Sequence, residues 1–247
     1  MFYHVELSDK RNEYLYELMK ARGLKVMGTA GSDTRCTYIF SPARKLSADD
    51  ISKLKNNSVV FGGAQPRESL DLIKEKQITY HNFLSDEEFA VKNARLTAEG
   101  LLSVLINSSG RSIYDHRILL LGAGRVAKAI ARIFTKLGLQ FIVCTYDDKE
   151  HMFALLYCDH VMHGKELSDN IKDFDMIINT IPAPVLDDIA GKIEKETVII
   201  DAASAPCISP DKITAQEIRY IPAPSLPAKY APCAAAEIML EFIVSHI

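Results

Sequence analysis

Arg117-Ile-Leu-Leu-Leu-Gly-Ala-Gly-Arg-Val-Ala127 is the stretch whose reading decides the fold. Ile118 to Leu121 is a short apolar run, the pattern of a parallel strand buried on both faces. It leads into Gly122-Ala123-Gly124-Arg125-Val126-Ala127, a Gly-x-Gly-x-x-Ala turn. Each residue type in such a turn has a physical task. Gly122 permits the tight bend, Gly124 removes a Cβ where a pyrophosphate must come close, and Ala127 lets the next helix lie near the strand. Ala123, Arg125 and Val126 complete the expected cofactor-binding set, with the helix dipole behind them. Val126, Ile130, Ile133, Phe134 and Leu137 recur at helical spacing, and Gly138 follows as a stop. A second apolar run, Phe141 to Cys144, completes the βαβ unit in which this turn binds a dinucleotide. The competing reading is the same fold with its site unused.

A chain of 247 residues holds one or two domains, at roughly 100 to 200 residues each. No apolar run reaches membrane-spanning length, so no membrane association is expected. The opening Met1-Phe-Tyr-His-Val-Glu-Leu-Ser-Asp9 has no basic region followed by an apolar block, so no secretory signal is read there and a cytoplasmic location is expected. The five cysteines, Cys36, Cys144, Cys158, Cys207 and Cys233, are odd in number and scattered, which fits reduced thiols better than a disulfide framework. Cys158-Asp-His160-Val-Met-His163 reads as a helix end followed by a strand in the βαβ series, and no metal is expected. A formal net charge of −3 gives no electrostatic reason for a nucleic-acid partner.

The first ninety residues read as a smaller α/β unit. Phe2 to Leu7 is a strand, Glu13 to Arg22 a helix before Gly23, and Leu24 to Gly28 a second strand. Ser47-Ala-Asp-Asp50 starts a helix, Ser58 to Gly63 is a buried strand, Pro66 opens a helix through Ile73, and Ile78 to Phe83 is another strand. The alternation implies a parallel sheet. Gly62 and Gly63 stand at a strand's carboxyl end, where they form either a substrate-cleft wall or an ordinary turn.

Ser85 to Ile106 reads as two helices, the second starting near Thr97. Thr97 suits a helix cap and Glu99 its first turn, but Asn93 and Arg95 have no such structural task, so this polar segment invites a functional reading. After the second strand, Asp147 stands 25 residues beyond Gly122, near the roughly 20 at which an acid grips the ribose 2′-hydroxyl of NAD. Thr145 and Lys149 could instead take a 2′-phosphate. Phe174 to Asn179-Thr180-Ile181-Pro182, Thr197 to Asp201-Ala-Ala203-Ser204, and Arg219 to Ser225-Leu226-Pro227 each run a strand into small or polar residues with prolines, the composition of a cleft lining. The expected organisation is an α/β protein: an N-terminal domain over 1–92, an inter-domain helix over 93–116, a doubly wound parallel-sheet Rossmann domain over 117–230, and a C-terminal helix over 231–247 packing back across the junction. The cleft is expected between the domains.

Taken in order, Asn93-x-x-x-Thr97-x-Glu99-Gly100, the glycine turn, Ile-Asn-Thr-Ile-Pro182, Asp201-x-Ala-Ser204-x-Pro206 and Ala223-Pro-x-Leu-Pro227-x-x-x-Ala-Pro232 resemble the A subunit of dipicolinate synthase over roughly residues 86 to 245. Asp9-Lys-Arg11 is similar to that family's Gly-Gly-Asp-x-Arg turn, with Leu7-Ser8 in place of the glycines. The resemblance implies a two-domain NADP-dependent oxidoreductase, distantly related to D-2-hydroxyacid dehydrogenases. With a flavoprotein-like B subunit it would oxidise dihydrodipicolinate to pyridine-2,6-dicarboxylate for spores.

In these terms Glu99, Thr97 and Arg95 are the expected catalytic residues, with Glu99 as proton acceptor. The cofactor, NADP or NAD, is expected on the glycine turn, Tyr146, Asp147, Thr180, Ile181, Pro182, Ala203 and Ser204. The dicarboxylate substrate is expected at Asn93, Gly62, Gly63, Ser225, Leu226 and Pro227, in a homo-oligomer. Three positions that are cationic in the family are not so here: Ala205, Tyr146 and Cys233. Arg95, Arg35 and Lys229 are the cations able to compensate. The alternatives are a D-2-hydroxyacid or amino acid dehydrogenase, for which no Arg, Glu and His triad follows the glycine turn, and a nucleotide-binding subunit without catalysis.

Overall fold

A computed structural model describes residues 2–28 and 36–247. Arg35 lies outside the described residues. The chain divides into two compact units, one of residues 1–96 with 227–247 and one of residues 97–226.

The first unit holds β1 (Phe2–Val5), α1 (Lys10–Ala21), β2 (Val26–Met27), β3 (Cys36–Ile39), α2 (Ala48–Lys53), β4 (Val59–Gly62), α3 (Arg67–Glu75) and β5 (Thr79–Asn82). All strand pairs are parallel, in the order β2-β1-β3-β4-β5. Helix starts follow local chemistry. Asp9 accepts from Asn12 N at 3.0 Å to cap α1, and Ser47 and Asp50 form a reciprocal capping box on α2.

The helix that follows, α4 (Glu87–Ser109), corrects the two-helix reading of this region. It is one helix of 23 residues, capped by Asp86, whose Oδ1 accepts from Phe89 N at 2.7 Å. Thr97 and Glu99 therefore stand in mid-helix, and neither serves as cap or first-turn acid. The expected boundary at 92/93 falls inside this helix.

The second unit holds β6 (Ile118–Leu121), α5 (Arg125–Leu137), β7 (Phe141–Thr145), α6 (Asp148–Ala154), β8 (Val161–His163), α7 (Leu167–Asn170), β9 (Met176–Asn179), β10 (Val198–Asp201), α8 (Pro210–Ala215) and β11 (Arg219–Pro222). A short α9 (Leu226–Tyr230) follows. The six strands are parallel, in the order β8-β7-β6-β9-β10-β11, the doubly wound arrangement expected from the glycine turn. Both faces of the sheet are covered. Ile118 and Leu120 join a core with Leu101 and Leu105 of α4 and Ile130 and Phe134 of α5. Leu119 and Leu121 join another with Leu167, Ile171, Phe174 and Leu186. Two-sided burial is why these strands read as unbroken apolar runs. The chain reverses direction across the sheet between β6 and β9, the switch point at whose carboxyl end such folds bind ligands.

The last helix, α10 (Pro232–Val244), belongs to the first unit, where Met239, Leu240 and Ile243 pack with Leu15 and Met19 of α1 in the core. No helix among the described residues is long and apolar enough to cross a membrane.

Candidate nucleotide site

The glycine turn sits at the carboxyl end of the central strand β6. Gly122 has φ +105°, and its N–H donates to Cys144 O at 2.8 Å, tying the turn to β7. A Cβ at Gly122 would fall 2.5 Å from Thr180 Oγ1 and 3.1 Å from Ile181 Cγ1. Glycine is thus demanded twice here, by backbone conformation and by the loop after β9. Thr180 completes the bracing, since its hydroxyl donates to Leu121 O at 2.7 Å.

Gly124 differs in a way that points outward. Its φ of −72° suits any residue, and a Cβ there would meet nothing within 4 Å. Neither backbone conformation nor a protein neighbour accounts for glycine at this position. A ligand approaching the backbone would, and the site offers what an anionic one needs. Gly124 is the N-cap of the 13-residue α5 and supplies no side-chain cap hydrogen bond, and the first turn carries Arg125 and no acid. The positive helix end and the guanidinium put positive charge of two origins at one place. These residues fit the pyrophosphate of a dinucleotide.

At the end of β7, Asp147 caps α6, its Oδ1 accepting from Lys149 N at 2.9 Å and Glu150 N at 3.0 Å. This holds the carboxylate at the strand's carboxyl end, beside the switch point. The Tyr146 ring lies against Gly164, where a Cβ would collide with it, and its hydroxyl oxygen is 3.5 Å from Val185 O. Tyr146 therefore spans from the β8 end to the loop after β9.

The ends of β9, β10 and β11 are joined by a network that the sequence did not assign. Asp201 is 3% exposed, and its Oδ1 accepts from Asn179 Nδ2 at 2.8 Å and Ala203 N at 3.0 Å. Its Oδ2 accepts from Cys207 N and the Tyr220 hydroxyl, both at 2.8 Å. Asn179 Oδ1 in turn accepts from Ile181 N at 3.0 Å. The network fixes both loops expected to frame the cofactor, Thr180 to Pro182 and Ala203-Ser204. The available signal was register: Asn179 and Asp201 are paired neighbours, each the one polar residue closing an apolar strand. Asp201→Asn should destabilise the fold by about 2 kcal/mol and so lower the melting temperature, because an amide turns one of two acceptor atoms into a donor facing two donors. An unchanged thermal transition would show that the network does not hold these loops.

Ser225, in the loop after β11, has φ +57° without being glycine, a conformation that costs of the order of 1 kcal/mol or more and concentrates at functional turns. Its neighbour Leu226, expected to face substrate, is instead 1% exposed and part of the core with Ile130 and Phe134. Pro227 is buried within α9.

On α4, Arg95 and Glu99 are exposed and four residues apart, on one face of the helix. Thr97 is 8% exposed, and two residues' rotation sets it on the opposite face from Arg95. Asn93 shares the Thr97 face by its four-residue spacing. The structure thus brings Arg95 together with Glu99 and separates Thr97 from both.

Gly62 and Gly63 have a packing reason of their own. A Cβ on Gly62 would collide with the Tyr80 hydroxyl, and one on Gly63 with Pro42 O. Of the cations, Arg11 is buried and pairs with Asp9 at 2.9 Å and Ser41 Oγ at 2.6 Å, linking the carboxyl ends of β1 and β3. Burial acts to raise the Asp9 carboxyl, but Arg11, Asn12 N–H and Ser41 outweigh it and hold the group below the usual carboxylate range. Lys229 and Cys233 are exposed. Four of the five cysteines are buried, and burial pushes the Cys144 thiol up to about 12.

Comparison with known proteins agrees with this geometry. The family described as NADP oxidoreductase, coenzyme F420-dependent, matches residues 117–205, from β6 into the loop after β10. The A subunit of dipicolinate synthase from Bacillus subtilis (strain 168) is 26% identical over 219 residues, which cover 87% of this chain and 73% of the relative. In structure, the A subunit of dipicolinate synthase from Bacillus halodurans superposes with a TM-score of 0.82 at 20% identity, over 99% of this chain and 96% of that one. An L-alanine dehydrogenase superposes with a TM-score of 0.65 at 13% identity, over 100% of this chain and 88% of that one. The resemblance to the dipicolinate synthase protein thus holds in sequence and in fold, and the fold is shared with L-alanine dehydrogenase.

Proposed function

We propose that this chain is a NAD(P)-dependent oxidoreductase that converts dihydrodipicolinate to dipicolinate in spore formation, working with a flavoprotein-like B subunit in the cytoplasm. Two observations support the reading. A curated relative is the A subunit of dipicolinate synthase, and at Gly124 an added Cβ would meet no described protein atom within 4 Å, which leaves the start of α5 open to a ligand.

In this reading the α5 start and Arg125 hold the pyrophosphate, while Thr180, Ile181, Pro182, Ala203 and Ser204 frame the nicotinamide ribose. The nicotinamide supplies the hydride-accepting carbon. Aromatising a dihydropyridine removes one hydride and one proton, so the chain has only to orient the ring and receive the proton. Glu99 receives the proton, and its exposure lets it pass that proton to water. Arg95, one helical turn away, pairs with a substrate carboxylate. Ser225 supplies a polar contact from its strained turn. Thr97 takes no part in that contact set, because it points from the other face of α4.

The chemical test is oxidation of freshly generated dihydrodipicolinate, followed by the absorbance of reduced cofactor, with the B subunit present and absent. No turnover in either case, with nucleotide still bound, would favour a non-catalytic nucleotide-binding role.

Cofactor preference follows from the end of β7. A carboxylate held at Asp147, with the uncharged Tyr146 before it, disfavours a 2′-phosphate. NAD should bind at least as tightly as NADP in calorimetric titration. Clearly tighter NADP would reassign the 2′ position to Thr145 and Lys149.

A further inference from the structure

The second unit carries an apolar surface away from the nucleotide site. Met152, Phe153, Leu155 and Leu156 are 65%, 59%, 49% and 79% exposed, and α6 buries only Ala154. A surface helix ordinarily turns such residues inward. Beside them lies a cavity of about 730 Å³, with Leu139, Phe141, Ile142 and Phe174 in its walls, at the amino ends of β6 and β7. That is the opposite end of the strands from the Gly122 turn, so this cavity is not the nucleotide site. Leu156 borders both this cavity and a shallower hollow formed by Asp148, Lys149, Met152 and Phe153. The face therefore reads, end to end, as charged α6 start, projecting side chains, Leu156, cavity, and a far rim carrying Arg117 and Asp159.

Projections and a cavity side by side on one chain are what a two-fold contact requires, because each copy presents both halves. We propose that this face joins two copies of this chain about a two-fold axis through Leu156, with α6 of each copy lying over the cavity of the other. Charge agrees with that arrangement. A two-fold axis brings the Asp148 and Lys149 end of one copy over the Arg117 and Asp159 end of the other, each end carrying one charge of either sign, and the pairs Asp148–His163 at 3.3 Å and Arg117–Asp173 at 3.7 Å would exchange partners across the contact. Area agrees too. At roughly 150 to 250 Å² for a large side chain fully exposed, the four residues supply about 400 Å² of apolar surface per copy. That is the apolar core of an interface burying about 800 Å² per partner.

Sedimentation equilibrium of the full chain tests the proposal. Wild type should be a dimer at micromolar concentration. The double variant Phe153→Lys with Leu156→Glu should dissociate roughly 100-fold more readily while keeping its circular dichroism spectrum and nucleotide affinity, since both side chains are exposed. Arg117→Glu should weaken the dimer, and adding Asp148→Lys should restore it. A wild-type monomer, a dimer indifferent to the double variant, or failure of the charge swap to restore association would each overturn the two-fold contact.

Discussion

Gly124→Val is expected to abolish nucleotide binding while leaving the protein folded. The reason lies in the contrast between two glycines two residues apart. At Gly124 an added Cβ has no described heavy atom within 4 Å and the backbone conformation is ordinary, so the fold tolerates a side chain there. Valine is a poorer N-cap than glycine, by up to about 1 kcal/mol, which for a chain of this size is a few degrees of melting temperature. A pyrophosphate on the α5 start would meet the added methyls directly. Loss of affinity should exceed roughly 100-fold, or about 2.7 kcal/mol. Gly122→Ala should behave in the opposite manner, lowering the melting temperature markedly, because φ is +105° and the new Cβ falls 2.5 Å from Thr180 Oγ1. Isothermal titration together with thermal unfolding on both variants separates the two. Undiminished affinity in Gly124→Val would remove the nucleotide from the glycine turn.

The second unit is legible in the sequence because its strands are buried on both faces and its turn needs specific residue types. Ile118 to Leu121 and the strands after it can be placed in order from the residues alone. α4 misleads for an equally physical reason. Its buried face is continued through the middle by Ala94 and Ala98, which pack closely yet carry little hydropathy, so the apolar rhythm lapses where the helix runs on. Leu226 falls within a motif that suggests a site, although a lone leucine between a strained serine and a proline is equally a core plug, and burial decides for the plug. Of the Asp201 network the sequence shows only the two polar strand ends, Asn179 and Asp201, because the other donors come from the loop after β10 and from β11, which only folding brings beside them.

The helix reassignment sharpens the test of catalysis. With Thr97 turned away, the proposed chemistry rests on Arg95 and Glu99, one turn apart on an exposed face of α4. Arg95→Ala should raise KM for dihydrodipicolinate by roughly 10- to 100-fold with little change in kcat, as expected when a charge-assisted contact to a carboxylate is removed equally from ground and transition states. Glu99→Gln keeps the size and hydrogen bonding of the side chain but cannot accept a proton, so kcat should fall by about 100-fold or more while KM moves little. Thr97→Val, nearly isosteric and on the other face, should leave both constants close to wild type. A surface role for the pair predicts something different: an exposed arginine and glutamate four residues apart contribute little to helix stability, and their loss would leave turnover intact. Steady-state kinetics on the three variants therefore decides between the two roles. Full activity in both Arg95→Ala and Glu99→Gln would move the chemistry off α4 altogether, toward the Ser225 loop, whose strained backbone would then need another explanation.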